Sequence, residues 1–429
     1  MMESAELYPY YLTHRAVSTD TRQIKPGSLF FALKGERFNG NAFAAEALEK
    51  GAAYAVIDDP AYRTGDRFVV VEDTLTALQD LAKYHRSQLQ IPVIGVTGTN
   101  GKTTTKELIQ TVLSQGFRAQ ATQGNLNNHI GVPLTLLSLA PETEIAVIEM
   151  GANHPDEIAF LCSIAQPTHG LITNVGKAHL EGFGGFEGVI RTKGELYDYL
   201  AGHGGTLFLQ HDNERLRAMA ADRNIKHVIR YGFSAGNDVY GQLLAADPML
   251  HVEWWPGSGQ TGHRIATQLT GAYNVENILA SICIGLHFGL SPEAINQGIA
   301  SYIPTNNRSQ LIRTERNTVI GDYYNANASS MAAALENLHV LKAERKAAIL
   351  GDMFELGDET ATEHAKVVVH ARSLGLDRLI FVGAEFYAHR SEGAEFYATM
   401  AEAQEALRQS PIDGALVLLK ASRGMCFEQ

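Results

Sequence analysis

The sequence predicts an α/β protein of three domains, spanning residues 1–88, 89–303 and 304–429. Three observations carry this. Short, continuously apolar runs recur along the chain, separated by stretches with helical spacing. That is the pattern of parallel sheets covered by helices on both faces. A length of 429 residues accommodates two or three folding units. A glycine-rich turn at 95–104 lies between one apolar run and a helical stretch, the setting of a phosphate-binding loop.

In the first block, FFAL (30–33) and AAYAVID (52–58) read as short buried strands, with a helix at 42–50 between them. TALQDLAKYHRSQL, from Thr76, is a helix that ends in a turn before Pro92 and closes the block. In the second block, IPVIGVT (91–97), EIAVIEM (144–150), HGLITNV (169–175) and GTLFLQ (205–210) are strand candidates. A helix opens at Lys102, and others are expected at about 155–164 and 187–200. In the third block, TVIGDYY (318–324), KAAILGD (346–352), DRLIFVG (377–383) and GALVLLK (414–420) alternate with helical patterns, so a second, smaller open α/β sheet is expected. GAEFYAHRSE (383–392) is nearly repeated as GAEFYATMAE (393–402). The repeat is too short and isolated for a solenoid and reads as a local duplication in a helix or loop.

Composition narrows the function. With 45% hydrophobic and 19% charged residues the chain is an ordinary soluble globular protein. No apolar run is long enough to span a bilayer, so no membrane insertion is expected. MMESAELYPYYLTHR lacks a basic region followed by an apolar stretch and does not read as a signal peptide. Cys162, Cys283 and Cys426 are scattered, without metal or disulfide spacing, which favours a reducing, cytoplasmic setting. A net charge of −12 argues against a nucleic-acid partner. An acidic protein that binds phosphates must do so locally, with backbone N–H groups, a few cations and metal ions.

The sharpest motif is GVTGTNGKTT, residues 95–104. Glycines let backbone N–H groups turn inward around a phosphate, and the following helix adds its N-terminal dipole. In this pattern Lys102 reaches the β/γ phosphates and the Thr103 hydroxyl holds Mg²⁺. The general motif wants glycine where Val96 stands, and the glycines here are Gly95 and Gly98.

The run TGTNGKTTT, with its shifted glycine, resembles the Mur ligase family. Further segments occur in family order: STDTR (18–22), FFALKGERFNG (30–40), GNLNNHIGVPLTLL (124–137), EMGANHPDEI (149–158), TNVGKAHLEGFGG (173–185), TKGEL (192–196), YNVENILA (273–280), DYYNANASSM (322–331), LGDMFELG (350–357) and KASRGM (420–425). They cover nearly the whole chain and are most similar to the branch that joins D-Ala-D-Ala to a UDP-N-acetylmuramoyl-tripeptide. The resemblance implies an N-terminal UDP-binding domain, a central ATPase-like domain and a C-terminal Rossmann-like domain. It also implies an ATP-dependent, C–N bond-forming ligase of peptidoglycan precursor synthesis, acting as a cytoplasmic monomer. The tripeptide carboxylate would take the γ-phosphate of ATP, and the dipeptide amine would then displace phosphate.

The same resemblance assigns residues. Gly98, Thr99, Asn100, Gly101, Lys102, Thr103 and Thr104 would cradle the nucleotide phosphates. Glu149, at the end of its strand, and His179, after the next one, would join Thr103 as Mg²⁺ ligands. Lys193 matches a lysine that CO₂ carbamylates into an anionic, metal-holding group, which requires a free amine and therefore a lowered pKa. Asn274 and Asn277 would meet the nucleoside, and Arg308, Asp322 and Asn325 would complete the ATP site. Ser18, Thr19, Arg22, Lys34 and Gly35 would bind the UDP moiety, and Asn125, Asn127, Asn128 and His129 the muramoyl-peptide. As bare sequence each has an ordinary reading. A strand-end glutamate is often solvated, a loop histidine is commonly a surface residue, and asparagines at a helix start are commonly caps. Asp322 and Asn325 suit turn chemistry, and Arg308 suits an exposed linker. KASRG carries Ala421 where glycine is expected, which weakens a role for Ser422 and Arg423.

Other functions remain open at this stage. A ligase of the same family adding a single amino acid differs in its product. A folylpolyglutamate synthase needs no UDP site. A non-catalytic nucleotide binder needs no full metal set. A P-loop hydrolase or kinase would release phosphate without any dependence on D-Ala-D-Ala.

Overall fold

The computed structural model describes residues 4–428. Its three main sheets follow one another along the chain. The first has four parallel strands, Val17–Ser18, Leu29–Phe31, Tyr54–Ile57 and Phe68–Val70, in chain order. A small hairpin, Lys34–Gly35 with Phe38–Asn39, stands apart from it.

The central sheet has nine strands. From one edge they run Ala119–Ala121, Ile145–Glu149, Val93–Thr97, His169–Ile172, Thr206–Gln210, His227–Gly232, Val239–Ala246, Leu250–Trp255 and His263–Ala266. The first seven are parallel. The expectation of a purely parallel sheet fails at the far edge, where Leu250–Trp255 and His263–Ala266 pair antiparallel. There the chain turns back through short connections instead of helical crossovers, so only antiparallel pairing is available. Both faces of the parallel part are covered. Along Ile145–Glu149, Ala146 and Ile148 enter one core while Ile145 and Val147 enter the other, as the two-residue strand period requires.

The first of these cores also takes in Leu7, Tyr11, Phe31 and Val56, so the N-terminal block and one face of the central sheet share a continuous interior. Helix Thr74–Gln88 joins them. Its buried Arg86 donates to the carbonyls of Ala165 and Gln166, and the Tyr11 hydroxyl donates to Leu137 O at 2.9 Å.

The third sheet has its own core and the order Gln310–Arg313, Thr318–Gly321, Leu416–Lys420, Lys346–Gly351, Arg378–Val382, Glu395–Tyr397. Only its first strand is antiparallel. The duplicated decapeptide takes two structures. In the first copy Ala384–Ala388 is helix, and in the second Glu395–Tyr397 is the edge strand. Phe386 and Phe396, equivalent in the two copies, both pack on Phe381 at 4.9 Å between ring centroids. Among the described residues no helix is long and apolar enough to cross a membrane, and the three cysteines are free.

Candidate active site

Strand Val93–Thr97 lies between Ile145–Glu149 and Ile172-ending strand His169–Ile172, reached by connections running in opposite directions. Loops leaving neighbouring parallel strands diverge at such a point and open a crevice at their C-terminal ends. A cleft of about 670 Å³ opens there and continues onto the third domain.

The phosphate loop forms one wall. Gly98 (φ +143°) and Gly101 (φ +79°) occupy backbone conformations that side chains disfavour. A Cβ on Gly98 would stand 2.0 Å from Thr173 Oγ1. Helix Lys102–Leu113 starts directly after Gly101 with no side-chain cap, leaving its first N–H groups free of one. The loop is held from the next strand: Thr99 N donates to Asn174 O at 2.9 Å and Asn100 N to Asn174 Oδ1 at 3.0 Å. Lys102 Nζ folds back onto Gly98 O (2.8 Å) and Thr99 O (3.0 Å). Burial lowers its pKa to about 8, against the opposing pull of Glu149.

Glu149 is 1% exposed. Its Oε1 accepts from Thr103 Oγ1 at 3.2 Å and Asn127 Nδ2 at 2.8 Å, whereas Oε2 is buried with no partner among the described residues. An ionised oxygen without a partner is costly in a protein interior, and with the Thr103 hydroxyl beside it this is a hard, anionic donor pair of the kind Mg²⁺ takes. The donors fit the ion. His179 also lines the cleft, in a left-handed backbone conformation (φ +51°). Its Nδ1 lies 2.5 Å from Glu355 Oε2 of the third domain, although the ring N–H is not aligned for a hydrogen bond. His179 holds the Glu355 carboxyl below its usual range. Among the described residues no three His, Cys, Asp or Glu side chains converge as a metal site. Thr103 and Glu149 are thus together, while His179 faces Glu355. Lys193 lies behind the cleft wall, 3% exposed, with its ammonium 5.3 Å from the Phe183 ring centroid. Burial, then the charge of Lys102, lowers its pKa to about 7.

Asn274 and Asn277 line the cleft but bond within the protein: Asn277 Nδ2 donates to Asn274 Oδ1, and Asn277 Oδ1 accepts from Thr105. The third domain supplies the facing wall. The Arg308 guanidinium stacks 3.8 Å over the Tyr324 ring, and its Nε is buried without a partner among the described residues. Asp322 accepts from Lys420 Nζ (2.6 Å) and Ser309 N (3.0 Å). Asn325 is exposed and caps its own neighbour, Ala326 N. Asn100 bridges the domains, with Oδ1 accepting from Asn327 Nδ2 and Nδ2 donating to Ser329 Oγ, both at 2.8 Å.

Of the expected substrate residues, Asn125, Asn127, Asn128 and His129 line this cleft. Ser18, Thr19, Arg22, Lys34 and Gly35 are not among its lining residues. Arg22 pairs with Asp20 and Lys34 with Asp58, and Gly35 lies beneath the Phe38 ring, where a Cβ would meet Cε1 at 2.5 Å. Sequence reasoning missed Asn174, Tyr273, Tyr324, Asn327, Ser329 and Lys420 on the cleft walls. Asn327 and Ser329 sit inside DYYNANASSM and could have been drawn from it. Lys420 ends an apolar strand and opens KASRGM, from which it could likewise have been drawn.

Three family models match in chain order: "Mur ligase family, catalytic domain" over residues 13–86, "Mur ligase middle domain" over 96–285, and "Mur ligase, glutamate ligase domain" over 307–423. A UDP-N-acetylmuramoyl-tripeptide--D-alanyl-D-alanine ligase of Bacillus subtilis is 36% identical over 426 residues, covering 96% of this chain and 91% of its own. The chain belongs to the Mur ligase family. The enzyme of the same name from Escherichia coli is 36% identical over 386 residues, 90% of this Mur ligase and 85% of its own length. Among solved structures, a MurF ligase from Thermotoga maritima in complex with ADP superposes with a TM-score of 0.85 at 27% identity, covering 97% and 96% of the two chains. MurF from Acinetobacter baumannii gives 0.84 at 32% identity, covering 96% and 91%. The three-domain α/β architecture predicted from sequence is that of these ligases.

Proposed function

We propose that this Mur ligase joins D-Ala-D-Ala to UDP-N-acetylmuramoyl-tripeptide at the expense of ATP, through an acyl phosphate, in the cytoplasmic synthesis of peptidoglycan precursor. The observation that carries the reading is the facing of two walls across one cleft: the phosphate loop with Lys102, Thr103 and Glu149 on one side, Arg308 and Lys420 on the other. Relatives that carry this activity in their names align over most of their own length. On this reading the chain divides near residues 88 and 303.

The chemical difficulty is electrostatic. A carboxylate must approach a triphosphate, so both anions need neutralising before the bond to phosphorus can form. Backbone N–H groups of residues 98–103 and the start of helix Lys102–Leu113 bind the phosphates. Lys102 leaves the carbonyls of Gly98 and Thr99 for the β/γ phosphates, whose charge restores its own. Thr103 and Glu149 Oε2 would hold Mg²⁺, and His179 and a carbamylated Lys193 would be its further ligands. The ion, when bound, supplies positive charge between the reacting anions. Arg308 approaches from the other domain. Asn125, Asn127, Asn128 and His129 orient the peptide end that carries the carboxylate. The carboxylate oxygen bonds to the γ-phosphorus as the bond from that phosphorus to the β–γ bridging oxygen breaks and ADP leaves. The dipeptide amine then attacks the acyl carbon, the C–N bond forms, the C–O bond to phosphate breaks, and the amine gives up its proton as phosphate departs.

The test is ligation of UDP-N-acetylmuramoyl-tripeptide with D-Ala-D-Ala and ATP, read by mass spectrometry. The expected product gains the dipeptide residue mass, with one ADP and one phosphate formed per bond. Phosphate release at the same rate without D-Ala-D-Ala would point instead to a hydrolase.

A further inference from the structure

Glu107 belongs to the phosphate-loop helix, five positions after Lys102, and the chemistry above gives it no part. Its carboxylate is 19% exposed and bonds to the chain that connects the central and third domains. Oε2 accepts from the Tyr302 hydroxyl at 2.8 Å, and Oε1 accepts from Asn306 Nδ2 at 2.5 Å. Its neighbour Lys106 is directed elsewhere, donating to Thr122 O at 2.7 Å and passing Glu107 at 3.5 Å.

The pairing changes sides one residue further on. Asn307 O accepts from Tyr324 N, and Ser309 N donates to Asp322 Oδ1, both partners in the third domain. Asn307 and Ser309 are both left-handed, at φ +52°. Ser309 also reaches back to the central domain, its Oγ lying 2.6 Å from the Tyr273 hydroxyl, so the crossover from one domain to the other spans 306–309, with Arg308 inside it. Residues at such crossovers absorb the backbone rotation when domains open and close.

We propose that Glu107 is a positioning residue, tying the nucleotide-binding helix to the interdomain linker so that Arg308 is presented to the cleft. One rigid helix then carries phosphate ligands at its N-terminus and the hinge anchor on its flank. A displacement of that helix as the triphosphate seats is transmitted to Arg308 through two hydrogen bonds. Burial and the Glu107 charge both hold the Tyr302 hydroxyl in its protonated, donating form. The inference rests on the assignment of Arg308 to the nucleotide phosphates.

The test is a double-mutant cycle of Glu107→Ala and Arg308→Ala, reading kcat and KM for ATP, with hydrogen exchange of the 305–309 backbone amides in the nucleotide-free protein. Glu107→Ala is expected to raise the ATP KM on the order of tenfold and to speed exchange in the linker, and to add less than about twofold on the Arg308→Ala background. Glu107→Gln, which can still accept from Asn306 and donate to Tyr302, restores most of the loss. If Glu107→Ala fails to fold, Tyr302→Phe and Asn306→Ala remove the same bonds from the linker side and should show the same coupling. Unchanged linker exchange, or effects that simply add, overturn the positioning role while leaving Arg308 in the site. An unchanged ATP KM in Arg308→Ala overturns the assignment of Arg308 and this role with it.

Discussion

Lys193 offers the most demanding test of the site. It lies within helix Phe186–His203 and makes no hydrogen bond or ion pair among the described residues. Burial first, and Lys102 second, bring its pKa to about 7. At pH 7.5 roughly three quarters of such an amine is neutral, against roughly one part in a thousand for an ordinary lysine. Only the neutral amine reacts with CO₂, so at that pH Lys193 offers several hundredfold more of the reacting form than a surface lysine. Between about pH 8 and pH 6 the neutral fraction falls about tenfold. The expected result with ¹³C-bicarbonate is one carbamate carbon signal, strong at pH 8, at least about tenfold weaker at pH 6 because carbamate formation also releases a proton, and absent from Lys193→Ala. The same variant should lose ligation and recover part of it with added short carboxylates, which place an anion where the carbamate stood. Absence of a Lys193-dependent signal at pH 8, or full ligation by Lys193→Ala, refutes the reasoning.

Three further outcomes are expected. Gly98→Ala should weaken ATP binding more than about a hundredfold, because its Cβ would meet Thr173 Oγ1 at 2.0 Å and Thr173 N at 3.0 Å. Gly101→Ala, which meets only the Asn277 amide at 2.9 Å, should cost nearer the 1–2 kcal/mol (about) of a left-handed alanine, with titration calorimetry separating the two. Glu149→Gln should reduce kcat/KM by about two to three orders of magnitude and raise the Mg²⁺ requirement, since the partnerless oxygen loses its charge. A normal metal titration curve for this variant would remove Glu149 from the ligand set. Finally, burial lowers the pKa of His85 to about 4, and its Nε2 has no partner among the described residues. The unfolded chain takes up a proton below about pH 6.5 while the folded one does not, so stability is full above that pH and declines toward pH 4. Urea melts should show up to about 2 kcal/mol lost between pH 7 and pH 5 through this residue, and His85→Leu should flatten that slope.

Much of the fold was legible because its strands are buried on both faces, and continuous apolar runs such as VIGVT at 93–97 survive any choice of register. The antiparallel edge was not. In Val239–Ala246 burial is confined mostly to one end, and Leu243 and Leu244 are exposed, so no clean period marks a strand. The phosphate loop could be read because glycine spacing reflects backbone geometry directly. Glu149 and His179 needed the family resemblance, since their meaning depends on which strands are neighbours. Lys193 is legible only in three dimensions: nothing local distinguishes it from a solvated lysine, and its lowered pKa comes from the helices and Lys102 packed around it. Arg22 and Lys34 are expected at the UDP moiety, and in the fold each pairs with an acidic neighbour, Asp20 and Asp58, which sequence spacing alone does not show for Lys34.

The twin decapeptides put the same letters to two uses, and losing either copy would not be symmetrical. Phe386 is fully enclosed, against His364 and Phe381, whereas Phe396 is half-covered on the outermost strand. Replication slippage across the tandem would leave one segment to serve both places. It would be drawn to the interior, because vacating an enclosed phenylalanine costs about 3–5 kcal/mol while an outer strand can be shed for less. Deletions here should therefore give a shorter sheet around an intact core, making this margin a tolerant point for length change in the C-terminal domain.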